Sequence, residues 1–214
     1  MRTDHAPIRL GLLLLALGVV AQAAPIVVLN ASFETLPGSG LNHPNPDGPF
    51  SDGPIPSWGE SGTGATGQYQ PNTNAFSVQD DGPTVAYSNS GTIFQDVTNV
   101  VANTTYTLMV DIGNRIDTGD FASADLLVNG VRYAATGTTA AKGLFATFTA
   151  TYAALPGDVG DPIRIELVST GGQADFDNVR MDAVSNASPV PEPVPTMLLF
   201  VGLGGVMIWK QRFN

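Results

Sequence analysis

The chain has 214 residues, no cysteine and a formal charge of −10 at pH 7. Without cysteine there is no disulfide framework and no thiol chemistry. Between Ala24 and Pro193 stand 18 acidic and 5 basic residues, which excludes nucleic acid and anionic membrane surfaces as partners, because both need a basic patch.

The first predicted element is a signal peptide over residues 1–23. Arg2 and Arg9 make a basic start, residues 10–20 are apolar, and Ala21-Gln22-Ala23 fits the small-x-small rule for a cut after Ala23. Residues 24–184 follow as one domain, long enough for a proper core. A short β-branched run spans 26–29. Two Gly/Pro/Asn-rich stretches, 37–56 and 59–74, read as long loops around Trp58; loops of that length are functional or mobile. Short strands are expected at 75–79, 84–87 and 92–97. Residues 105–112 alternate, with Tyr106, Leu108, Val110 and Ile112 on one face. Segments 124–128 and 131–135 flank Asn129-Gly130, a two-residue hairpin signal. Strands at 144–152, 163–168 and 176–181 complete the set. No sustained helical period occurs in the domain, and about nine or ten short strands at this spacing predict an all-β, antiparallel sandwich or barrel.

After a Pro-rich linker at 185–193, residues 194–209 form an apolar run and 210–214 a basic tail. Sixteen helical residues span about 24 Å, a minimal crossing of a bilayer core of about 30 Å, with Lys210 and Arg212 on the cytoplasmic side. The order Pro191-Glu192-Pro193, short transmembrane helix, basic tail resembles the PEP-CTERM sorting signal of bacterial surface proteins. The resemblance implies an exosortase-type membrane protease as partner, and an exported, membrane-anchored precursor that ends at the cell surface or outside the cell.

The domain opens with Asn30-Ala31-Ser32-Phe33-Glu34 and closes with Asp175-Phe176-Asp177-Asn178-Val179-Arg180-Met181. Together with Trp58 these motifs resemble the galactose-binding-like jelly roll of many carbohydrate-binding modules. That resemblance implies an antiparallel β-sandwich (jelly roll) with Trp58 packed inside. It also implies a structural Ca2+ tying the first strand to the last through Glu34 and Asp177, with Asp175 a further candidate.

Catalysis has few candidates. His43 is the sole histidine after the signal peptide, so a Ser-His-Asp triad would rest on it alone, and catalytic zinc lacks its usual ligands. No Gly-x-Ser-x-Gly elbow occurs. Glu60, Asp80 and Asp81 are the available glycosidase-type carboxylates. The stretch from His43 to Gly48 fails the EF-hand spacing, and Asp117 and Asp120 read as turn formers. Tyr69, Tyr87 and Tyr133 are candidates for a sugar-stacking platform, against core packing as the alternative. The expectation is a non-catalytic surface or matrix component associated with exopolysaccharide. The alternatives are a carbohydrate-binding module with a discrete sugar site, and a secreted glycan hydrolase.

Overall fold

A computed structural model describes residues 22–117 and 122–186, which lie within one compact unit, Ala21–Ala187. The sorting motif Pro191-Glu192-Pro193, the expected membrane helix and tail, Asp120 and all of the signal segment before Gln22, Ala21 included, fall outside the described residues.

Twelve strands are described: β1 (Ala23–Ile26), β2 (Phe50–Asp52), β3 (Gly59–Gly62), β4 (Thr66–Tyr69), β5 (Val85–Asn89), β6 (Gly91–Asn99), β7 (Thr104–Asn114), β8 (Ala122–Val128), β9 (Val131–Ala134), β10 (Leu144–Ala153), β11 (Pro162–Ser169) and β12 (Gln173–Ser185). Among the described residues the one helical element is a 3-10 turn at Pro156–Asp158. The larger sheet runs β10-β7-β12-β5-β4-β2, with β1 also paired to β12; the smaller runs β3-β6-β11-β8-β9. Every pairing is antiparallel, as the alternation predicts.

The alternation also places the core. Tyr106, Leu108, Val110 and Ile112 of β7 meet Ile163, Ile165 and Leu167 of β11 and Leu126 of β8, all buried between the sheets. Burying each such aliphatic side chain is worth about 1.5–3 kcal/mol. Trp58 packs inside on Phe33, with ring centroids 5.3 Å apart. Asn129 and Gly130 take φ of 49° and 75°, the left-handed pair that a tight hairpin between β8 and β9 needs.

A second cluster covers the other face of the larger sheet: Tyr69, Ala75, Phe76, Val85 and Tyr87, with Phe50 and Phe145 against it. The expected strand at 75–79 is instead a turn segment that lies on this face. Its apolar residues are a cover: Phe76 stacks on Phe145 at 4.5 Å, above Gly113, where a Cβ would come 2.6 Å from the Phe76 ring. The two predicted loops are shorter than expected, because they contain β2, β3 and β4. Glycine composition hides those strands. At Gly67 a Cβ would stand 1.8 Å from the Ser51 carbonyl oxygen, so close pairing with β2 requires its absence.

In β12 the register slips between Asp177 and Arg180, with Asn178 at φ 48°. Asparagine is among the few side chains that accept this conformation. The bulge lets Asn178 Nδ2 and Arg180 Nη1 both donate to Asp111 Oδ2, each at 2.9 Å.

Candidate functional site

A pocket of about 340 Å³ opens on the covered face of the larger sheet, at the end where β2, β4 and β5 meet β12. Phe50, Asp52, Tyr69, Tyr87, Arg115 and Gln173 are among its lining residues. Period-two alternation brings Phe50 and Asp52 to one side of β2, while Tyr69 and Tyr87 come from neighbouring strands. The Phe50 and Tyr87 rings meet edge-on with centroids 6.2 Å apart, and Tyr69 and Tyr87 do so at 5.9 Å.

Arg115, just beyond β7, is 5% exposed. Its Nε and Nη2 donate to Asp117 at 2.9 and 3.0 Å, Nη2 also to Asp47 at 3.0 Å, and Nη1 to the Tyr69 hydroxyl at 3.3 Å. Burial works against its charge, but Asp117, Tyr69 and Asp175 outweigh it and hold the guanidinium firmly protonated. The loop carrying Asp47 runs hard against the end of β4. Gly48 has φ 135°, and a Cβ there would fall 1.9 Å from the Gln70 carbonyl oxygen.

Beneath the pocket lies Asp175, with no exposed surface. Gln173 Nε2 donates to its Oδ1 at 2.8 Å, and Oδ2 has no hydrogen-bond partner. Burial pushes this carboxyl up to about 6, against the pull of Gln173 and Arg115. The Tyr69 phenol beside it is pushed well above its usual range by burial and then by Asp175. On the far wall the Tyr87 hydroxyl donates to Asp52 Oδ1 at 2.6 Å. His43 stacks on Phe50 at 5.0 Å, with Nε2 3.8 Å from Asp52 Oδ2.

The structure thus brings together Tyr69 and Tyr87 from the sugar-platform reading and Asp175 from the calcium reading. Tyr69 and Tyr87 are only 3% and 4% exposed, so they are pocket walls and not an open stacking platform. Tyr133 is not with them: it sits on β9 of the other sheet and packs on Tyr152 at 4.8 Å. Glu34 and Asp177 do approach one turn, since Thr84 N donates to Glu34 at 2.8 Å and Asp81 N to Asp177 at 2.9 Å. Asp177 accepts from two backbone amides and Glu34 from the Thr84 amide and hydroxyl, while Asp175 faces Tyr69 and Arg115. Among the described residues no group of three or more His, Cys, Asp or Glu is gathered that could hold a metal ion.

Glu60 accepts from Ile55 N at 3.0 Å, whereas Asp80 leans on Asp111. Burial and that neighbour push Asp80 up to about 6. Sequence reasoning missed Arg115, Gln173, Phe50 and Asp52. For Gln173 a signal existed, because it shares the period-two face of Asp175.

The model of the HpiC1 cyclase family matches residues 24–182. This chain belongs to that family. An apo-form cyclase from Fischerella sp. is similar in structure, with 22% identity and a TM-score of 0.62 over 75% of this chain and 96% of that one. A cyclase from Fischerella sp. TAU gives 24% identity and a TM-score of 0.60 over 76% and 98%. The CBM22-1 xylan-binding domain of Paenibacillus barcinonensis Xyn10C gives 11% identity and a TM-score of 0.47 over 79% and 99%. No curated protein matches the sequence. The family match corrects the expectation of a non-catalytic surface component: the family is one of cyclases, and its match covers all but the outermost residues of the sandwich.

Proposed function

We propose that this chain is a cyclase that closes a ring on a small unsaturated substrate in the pocket of Tyr69, Tyr87 and Asp175. The volume, about 340 Å³, is at the small end of ligand sites. The Tyr69 hydroxyl gives a proton to the substrate, and protonated Asp175 behind it restores the phenol. The carboxylate left behind is stabilised by Arg115. Cationic charge on the closing substrate is met by the aromatic walls, whose fixed placement costs no reorganisation during reaction. Loss of a proton from the closed ring returns it to Asp175 through Tyr69, so substrate and product are isomers.

The observation that carries this reading is Asp175: fully buried, one oxygen unpartnered, its affinity for a proton raised, and next to two pocket-lining groups. The test offers the purified chain a panel of linear unsaturated compounds in D2O. A product of unchanged molecular formula, save one deuterium in place of one hydrogen, and one ring richer is expected. Asp175→Asn and Tyr69→Phe should each lower turnover by about 10²–10⁴-fold, the usual worth of a positioned acid. Full turnover in Asp175→Asn, with its melting point checked, would remove the role.

A further inference from the structure

Taking the pocket as the substrate site, as proposed above, we infer that its Asp52 end recognises a positively charged nitrogen on the ligand. The charges around the pocket are lopsided. Among its lining residues Arg115 is the one fixed cation, and it is committed to Asp47 and Asp117. An anionic ligand would find no free partner there. At the opposite end Asp52 has a side chain 57% exposed, and its one ion-pair partner among the described residues is the His43 imidazole, 3.8 Å away.

Its other oxygen accepts a hydrogen bond from the Tyr87 hydroxyl, and the Tyr87 phenol is kept protonated by burial and then by Asp52, with Glu60 adding to the effect. Negative potential from the Asp52 carboxylate therefore lies beside the place where Phe50 and Tyr87 meet edge to face. A neutral apolar group placed there would desolvate Asp52 without pairing it, which is costly. A cationic group gains from the carboxylate and from the electron-rich ring faces together. Asn45, Asn89 and Gln173, also on the lining, add neutral dipoles and no competing charge.

The probe is tetramethylammonium, with tert-butanol as its neutral counterpart of similar shape. Both are titrated into the full-length chain by calorimetry. Tetramethylammonium should bind at least tenfold more tightly than tert-butanol. Asp52→Asn should erase that difference while melting like wild type, and Tyr87→Phe should keep most of it, because ring and carboxylate both remain. Equal affinity for the two probes, no detectable heat for the cation, or an undiminished preference in Asp52→Asn would each overturn the inference. Ring closure is scored separately. A neutral substrate cyclised faster than its amine analogue sinks the inference and leaves the cyclase reading intact. Cation binding at Asp52 in a chain that cyclises nothing does the reverse.

Discussion

Asp175 and Asp177 sit two residues apart on one strand and are both driven toward the neutral form by burial, Asp175 to about 6 and Asp177 to about 8. Their folded values lie above the ordinary 3.8, so the folded state holds the extra protons. Their contribution to stability is complete below about pH 4 and is lost as pH rises through 6 for Asp175 and 8 for Asp177. Thermal melts should therefore fall between pH 5 and 8. Asp177→Asn should flatten the decline above about pH 6 and lessen it below, whereas Asp175→Asn should lessen the lower part alone. A melting point that climbs across this range would contradict both assignments. Only Asp175 should also shape turnover, because its proton is the one used; the rate should drop above about pH 6. The sequence marks both residues through the Asp-Phe-Asp-Asn-Val motif, but not their different fates. Asp175 acquires its surroundings from Tyr69 on β4 and Arg115 just beyond β7, both far away in the chain. No local pattern records that meeting.

At the level of the elements, alternation made β6, β7, β8, β10, β11 and β12 readable within a few residues. It failed where a strand is built of small residues, as in β3 (Gly-Glu-Ser-Gly). It also failed where apolar residues serve as a lid, as with Ala75 and Phe76. The lid seats on the sheet through Gly113, and that dependence can be tested. Gly113→Val places side-chain atoms where the Phe76 and Phe145 rings now lie, 2.6 and 2.8 Å from the new Cβ. Overpacking of this kind costs about 1–3 kcal/mol, or about 2–12 °C in melting temperature for a domain of this size. Gly38→Ala, with open space around it, should change nothing. If both variants melt alike, Phe76 is free to move off the sheet.

For the molecule as a whole, the chemistry was hard to read because a pocket, unlike a contiguous motif, is assembled from residues far apart in the chain. Histidine and cysteine counts argued against an enzyme, yet the pocket draws on aspartate, tyrosine and arginine contributed by β2, β4, β5, β12 and the segment after β7. On the sequence of the first 23 residues we propose that the domain is exported and begins at Ala24, which an intact mass of protein recovered outside the cell would check. A start at Met1 would refute it. Such a cut falls inside β1, and the residues that remain, Ala24 to Ile26, still oppose Ala183 to Met181 of β12. The partner of the first strand is thus the last made of the described strands. At about 5–20 residues per second, the new N-terminus waits roughly 10–30 s for β12 to be synthesised, extended and open to a peptidase all that time. A chain stopped after Gly172 should therefore stay sensitive to an aminopeptidase at its beginning, while the complete domain closes that end like a latch that only the final strand can turn.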